Sequence, residues 1–495
     1  MMLYRTLTAV GVMLLSSSTG LAAPRAIPVL PDADARFSLG NETRTDAADA
    51  WWEGFGDVAL NNMVEEAMES NYDVATAQSR VMQARGVSLQ QFSPLVPSAS
   101  FDIGLNASPT AAQTFQTPPA LLEIFEAMEN IPGQSTNDDG EDDPDVTWNG
   151  SALFKFGWAV DIGATAMAFR AAQMDAAAAV GDRDGVARQL VGQVVSTWMD
   201  VRNARARIAV IGQQIETNAN LLELTRNRYE GGDASGLDVL QQQQQLASTR
   251  AMLPQAEQLL RLREQQLSLL LARDPSVIAE DLAAAPEGLP PLPVAPGVGT
   301  PRDLLELRPD LSALQARYQG AKARKHSAAL GFLPTFGFNG SVGWNLRWFD
   351  EWDTGNTWGF GASMSVPIFQ GGRRWGGLQQ ANAAQDAAAY ALSAGVQKAT
   401  SEVEQALLRE ATEVERLDAL GRQLSSASVA YEESTRQYAS GVTNYLSVLA
   451  NLASLQASQL NHLQAQRDLL GARIDLHTAL GAPWATRLST DGASR

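Results

Sequence analysis

The residues of this chain best suited to chemistry are the clustered carboxylates Asp138, Asp139, Glu141, Asp142, Asp143 and Asp145. Carboxylate oxygens are hard ligands, so the cluster could hold a divalent cation or a partner. Its spacing fits no calcium-loop pattern, and a solvated acidic loop is the simpler reading. The histidines are His326, His462 and His477, and none has a carboxylate or second histidine at metal-site spacing. No serine sits in a GxSxG elbow, and neither a GxxxxGK[ST] phosphate loop nor a dinucleotide fingerprint occurs. Cysteine is absent, which removes disulfides, thiolate metal sites and a thiol nucleophile. The expectation is therefore no catalytic, cofactor-binding or metal residue, and no enzyme. A net charge of -18 without a clustered basic face argues equally against nucleic acid as a partner.

The elements around these residues are more informative. Leu95, Pro97, Ala99, Phe101, Ile103 and Leu105 alternate with small or polar residues such as Ser98, Ser100, Asp102, Gly104 and Asn106, the two-residue period of a strand. The pattern returns from Trp148 to Ile162, from Phe332 to Asn345 and from Thr357 to Ile368. Each run has the length of a tilted membrane strand, with aromatics towards its ends as an interfacial girdle requires. No later stretch is apolar for long enough to cross a bilayer as a helix, so insertion would use strands. Four strands are too few to close, because the smallest bacterial barrels need about eight and an open edge in lipid leaves amides unpaired. The barrel must be shared between chains. Three chains would give about twelve strands and leave room for water, whereas a ring of about eight is filled by its own side chains.

Between the strand pairs run long tracts rich in helix-forming residues. One ends near Tyr229, a second runs from Arg373 to Tyr438, and shorter partners follow at Leu237 to Ala272 and Leu446 to Leu480. A tract of about 65 residues is near 100 Å long as a helix, which implies coiled-coil-like packing about an axis. The two halves of the chain are duplicates. Asp73, Gln78, Arg80, Ala84, Pro97 and Phe101 recur 237 positions later, and Tyr229, Gly232, Leu237, Val239, Leu240 and Leu246 recur 209 positions later. The glutamine run Gln241 to Gln245 lies inside this pattern and is expected on helix interfaces or a wet wall.

At the N-terminus, Arg5, the apolar stretch Leu7 to Leu15 and the small-x-small Gly20-Leu21-Ala22 read as a cleaved secretory signal. The expected organisation is a signal peptide at 1–22, first-repeat helices at 23–94, two strands with a long outer loop at 95–163 and a helical hairpin at 164–274. A proline-rich linker at 275–301 leads to second-repeat helices at 302–331, strands at 332–369, a second hairpin at 370–480 and a tail at 481–495.

Several segments now carry a resemblance: Trp52-Glu53-Gly54-Phe55-Gly56-Asp57, Asn71-Tyr72-Asp73-Val74-Ala75, Leu307-Arg308-Pro309-Asp310-Leu311, Val366-Pro367-Ile368-Phe369-Gln370-Gly371-Gly372-Arg373, and the paired turns Arg228-Tyr229-Glu230-Gly231-Gly232 and Gln437-Tyr438-Ala439-Ser440-Gly441-Val442. In this order they resemble the TolC-like outer-membrane factors, especially the multidrug efflux branch. The resemblance implies an α+β membrane protein: a homotrimer whose twelve-stranded β-barrel, four strands per chain, sits in outer-membrane lipid of a Gram-negative bacterium and is continuous with a long periplasmic α-helical barrel. The implied function is a passive exit duct for small molecules such as drugs, served by a periplasmic adaptor protein and an inner-membrane transporter. The turns would form the entrance and the adaptor dock, which singles out Gly232, Asp233, Ser235 and Asp238 in the first repeat and Gly441, Val442, Thr443, Asn444, Tyr445 and Ser447 in the second. Relatives often carry acidic residues beyond the second turn; here Ser447 and Ala450 stand there, so Asp238, Asn444 and Tyr445 are expected to shape the entrance. Each could equally be a helix-start residue. Two alternatives stay open: the duct of a type I protein-secretion system, and a soluble periplasmic coiled-coil scaffold.

Overall fold

The structure, a computed structural model, describes residues 36–39, 50–109, 146–275, 288–348 and 352–481. The signal segment, most of the acidic loop, linker residues 276–287 and the tail from 482 lie outside the described residues. The chain divides into two compact units, one gathering residues up to Gly86, Ala171–Lys322 and those from Asn382, the other Val87–Arg170 and Ala323–Ala381. No described helix is long and apolar enough to cross a membrane.

The second unit holds one antiparallel sheet in the order β1 (Ser98–Pro109), β2 (Val146–Asp161), β3 (Thr335–Trp348) and β4 (Trp352–Ser365). Its register carries the sequence alternation across all four strands: Phe101 pairs with Phe154, Phe154 with Val342, and Val342 with Trp358. The apolar face is left bare, with Ile103 76% and Trp358 81% exposed. Ser100, Lys155, Ser341 and Gly359 follow one another across the opposite face, where Lys155 meets Asp102 at 3.5 Å. The strand limits differ from the alternation at both ends: β1 runs on to Pro109, β2 begins at Val146, β3 runs on to Trp348 and β4 begins at Trp352, beyond the alternating runs, while the opposite ends fall short. Residues 93–95 form a 3₁₀ turn and β1 starts only at Ser98, β3 starts at Thr335, and β4 stops at Ser365 rather than Ile368. Pro97, Pro334 and Pro367 stand at these limits, where a residue without an N–H cannot continue a ladder.

The helices lie mostly in the first unit. Short helices α1 (Val58–Ser70) and α2 (Tyr72–Phe92) precede the hairpin α3 (Ala164–Glu230) and α4 (Gly236–Leu270), and α5 (Pro309–Leu330) precedes the hairpin α6 (Arg373–Ala439) and α7 (Tyr445–Leu480). The starts of α3 and α4 recur in α6 and α7 displaced by 209 positions, so the duplication is one of architecture. It extends to single bonds. Asn71 Nδ2 donates to the Leu270 carbonyl at 2.9 Å, and its counterpart Arg308 donates through Nη1 to the Ala479 carbonyl at 3.0 Å. Both tie the entrance of a short helix to the end of a hairpin.

The largest core gathers Trp51, Trp52 and Phe55 with Leu60, Val64, Val194, Trp198 and Leu267. Asp57 sits among them as the N-cap of α1, accepting from the Ala59 and Leu60 amides at 3.0 and 3.3 Å. Its other oxygen accepts from Trp198 Nε1 at 2.8 Å and Arg202 Nη1 at 2.9 Å. Trp198 and Arg202 lie one turn apart on α3, so one carboxylate fixes the N-terminal segment to the long helix.

His477, in α7, stacks on Trp51 with ring centroids 4.9 Å apart. Burial, with Arg473 adding to it, pushes its pKa down from 6.5 to about 4. The neutral ring is the folded form, so its contribution is complete above about pH 6.5 and is lost as the pH falls towards 4. A shift of this size is on the order of 3 kcal/mol. His477→Phe keeps the stack without the titration; its stability should fall less between pH 7 and pH 4.5 than that of wild type, by chemical denaturation at both values. Parallel losses would remove His477 as the cause.

Candidate functional site: the paired helical turns

The ten residues singled out in the sequence occupy the two turns that join α3 to α4 and α6 to α7. Both turns close with the same backbone bonds. Gly232 N–H donates to the Tyr229 carbonyl at 3.0 Å and Asp233 N–H to that of Arg228 at 2.8 Å; Gly441 N–H donates to Tyr438 at 3.0 Å and Val442 N–H to Gln437 at 2.8 Å. This nested pair ends a helix on a left-handed residue. Gly232 and Gly441 supply it with φ of 82° and 77°, where a side chain would be strained.

The following helices start on side-chain caps. Ser235 Oγ accepts from the Asp238 amide at 3.2 Å while Asp238 Oδ2 accepts from the Ser235 amide at 3.1 Å, a reciprocal capping box. In the second turn Asn444 Oδ1 accepts from the Ser447 amide at 3.1 Å and its hydroxyl at 2.9 Å. Asp238, Asn444 and Ser447 thus serve as helix-start residues. Asp233 and Val442 are exposed, Thr443 is half-buried, and Tyr445 turns inward.

Behind the turns lies a network that residue spacing did not reveal. The Tyr445 hydroxyl donates to Gln242 Oε1, and Gln242 Nε2 donates to the Asn218 carbonyl at 2.8 Å and to Asn218 Oδ1 at 3.1 Å. Asn218 Nδ2 reaches Thr249 Oγ1 at 3.2 Å. Asn218, Gln242 and Thr249 are buried, so each satisfied bond matters more than a surface one. Burial, reinforced by Tyr438 and Asp238, pushes the Tyr445 pKa up and keeps its proton in place for the bond. Arg228 spans from the first turn to the second, donating to the Tyr438 carbonyl and lying 4.6 Å above the Tyr438 ring. Leu221, Tyr438, Tyr445, Val448 and Leu452 pack into one apolar cluster beneath. The glutamine run is divided between faces: Gln242 and Gln245 bond to other helices, whereas Gln243 and Gln244 are exposed.

No reacting constellation accompanies these bonds; among the described residues no group of carboxylates or histidines could hold a metal. The arrangement is a mechanical joint with polar fastenings. The family model for outer membrane efflux proteins matches residues 63–273 and 300–482. The chain belongs to the outer membrane efflux protein family. It is similar to the pyoverdine export outer membrane protein OpmQ of Pseudomonas aeruginosa, with 25% identity over 451 residues and 89% of each chain covered. A further relative is the toluene efflux pump outer membrane protein TtgF of Pseudomonas putida, 25% identical over 459 residues, covering 92% of this chain and 90% of that one. Among solved structures, the outer-membrane channel OprN superposes with a TM-score of 0.78 at 22% identity, covering 92% of this chain and 99% of that one. The outer membrane protein VceC of Vibrio cholerae gives 0.74 at 21%, covering 89% and 100%. As a member of the efflux family the chain is an outer-membrane exit channel, and its fold of four strands and two long hairpins is the channel fold.

Proposed function

We propose that three copies of this efflux-family chain close one twelve-stranded barrel and one ring of helices, forming a passive duct that takes small organic solutes from a periplasmic adaptor and an inner-membrane pump. The observation that carries the reading is the open sheet: among the described residues β1 and β4 each have one strand neighbour, and the apolar face lies bare. In lipid such edges must be paired, and copies of the same sheet supply the pairing. Relatives named for pyoverdine export and toluene efflux favour small solutes over unfolded polypeptide. Deleting the gene and measuring accumulation and susceptibility across a panel of dyes, drugs and a secreted protein tests this. Retention of small compounds supports the duct; selective loss of the protein's export would assign it to secretion, and release of the chain by carbonate washing would make it a soluble scaffold.

On this reading the turns form the periplasmic entrance and the adaptor dock, with Asp238 adding a carboxylate at the start of α4 just beyond the exposed Asp233. Asp238→Asn should lower cation selectivity in single-channel recordings while preserving the fold, since an asparagine oxygen can still accept from Ser235. Unchanged selectivity would confine Asp238 to its cap.

A further inference from the structure

We infer that the collar where the strands pass into helices binds an anionic phospholipid of the inner leaflet, with the lipid phosphate seated on Arg373 and Arg374. Ser98, Asp161, Thr335 and Ser365 bound the strands at one end of the sheet, and each adjoins a segment leading to a helix. The helical part of channels in this family lies in the periplasm, so this end of the sheet meets the inner leaflet. The four connecting segments of the second unit, residues 87–97, 162–170, 323–334 and 366–381, carry Arg170, Arg324, Lys325, Arg373 and Arg374 and no aspartate or glutamate. That reverses the balance of the whole chain, which has 55 acidic and 37 basic residues. Asp161, the carboxylate at the end of β2, is engaged at the start of α3, where it accepts from the Thr165 amide and hydroxyl.

Two of these cations converge. Arg373 Nη2 and Arg374 Nε each donate to Gln370 Oε1 at 3.1 Å, and among the described residues neither forms an ion pair with a carboxylate. Two guanidiniums gathered at one neutral oxygen keep most of their N–H donors for another acceptor, and phosphate oxygens accept from such forks in pairs. A Cβ added at Gly331 would stand 3.3 Å from Arg374 Nη1, so this guanidinium rests against the residue that follows α5. What selects a lipid over a soluble phosphate is the apolar ledge beside the cations. Ile368 and Phe369 follow directly on β4 and are 94% and 87% exposed. Trp375, 68% exposed, packs edge-on against Phe332 with ring centroids 5.6 Å apart. At the same end of the sheet Trp158 Nε1 donates to the Leu95 carbonyl at 3.2 Å. Exposed apolar side chains flanked by indoles and arginines match the boundary between acyl chains and headgroups. A charged polymer without acyl chains would leave the ledge in water.

The test uses the full-length protein in phosphatidylethanolamine vesicles containing about one-fifth phosphatidylglycerol. After extraction in mild detergent, the lipids retained by the protein are counted by mass spectrometry. Wild type should hold phosphatidylglycerol about fivefold over its share in the vesicle, the preference one basic group confers beside a charged surface, and lose it as salt is raised. Arg373→Gln with Arg374→Gln should return the retained lipids to the vesicle ratio. Arg373→Lys with Arg374→Lys keeps the charge without the planar fork and should fall between. A wild-type ratio equal to that of the vesicle at low salt would overturn the inference, as would a glutamine pair that retains as much phosphatidylglycerol as wild type. The salt series needs wild type alone, so it decides even where a variant fails to insert. Sodium phosphate should displace no more lipid than sodium chloride at matched ionic strength; greater displacement would assign the pair to a soluble anion. Loss of binding to cell-wall sacculi in the glutamine pair, with its lipid ratio unchanged, would assign the collar to the wall and sink the lipid site.

Discussion

Asp57→Ala should lower unfolding stability by about 3–5 kcal/mol, the largest single-residue loss expected in the helical unit. The substitution deletes the cap of α1 and leaves the buried guanidinium of Arg202 with the Gly288 carbonyl at 2.7 Å but no counter-charge. It also strips Trp198 Nε1, on a fully buried indole, of its acceptor. Removing one partner of a buried pair costs more than the pair contributes, because the remaining charge stays desolvated. Thermal scans of the purified protein in mild detergent check this. Asp57→Asn keeps one acceptor oxygen, which serves either the cap amides or the indole but not both, so it should fall between wild type and alanine. Equal melting of all three proteins would show that the carboxylate does not hold the N-terminal segment.

Gly343→Ala should prevent the sheet from forming in its native register. A Cβ at Gly343 would stand 2.0 Å from the Ala152 carbonyl oxygen and 2.9 Å from the Leu153 Cα, so the methyl group meets backbone that no rotamer change can clear. Strands β2 and β3 would have to separate, at or above the roughly 1–3 kcal/mol typical of overpacking. Gly355, in β4, is the matched control, since nothing lies within 4 Å of its added Cβ. Outer-membrane fractionation after carbonate washing should retain Gly355→Ala at wild-type level and lose most of Gly343→Ala. Full retention of both would mean that β2 and β3 tolerate a wider spacing there.

The sheet was readable in the sequence because a strand's two faces are written in alternate residues. Phe101, Ile103 and Leu105 declared their common face without any knowledge of a partner, and the register then placed Phe154, Ala152 and Gly150 beside them. The alternation overstated the strand ends beside Pro97, Pro334 and Pro367, since it counts side chains and is blind to missing donors, and it stopped short of Trp348 and Trp352 at the other end. The turns were readable for a similar reason: Gly232 and Gly441 mark left-handed backbone, and Ser235 and Asn444 are cap residues in the right place. The fastenings behind the turns had no such signature. Asn218, Gln242 and Tyr445 lie on three different helices, and only the packing of α3, α4 and α7 brings them together. Arg228 is legible as the first residue of a turn segment, but nothing in its neighbours names Tyr438 as its acceptor. Trp198 and Arg202, one turn apart, did carry a detectable signal in their spacing, but Asp57 lies too far along the chain to be paired with them from order alone.

The polar face of the sheet has a consequence for traffic. Glycine, serine and asparagine give it low relief, and Lys155 and Asp102 cancel each other's field at close range. If that face lines the duct proposed above, a solute moving along it would meet shallow wells and little friction, and the choice of what leaves would then fall to the components that deliver it.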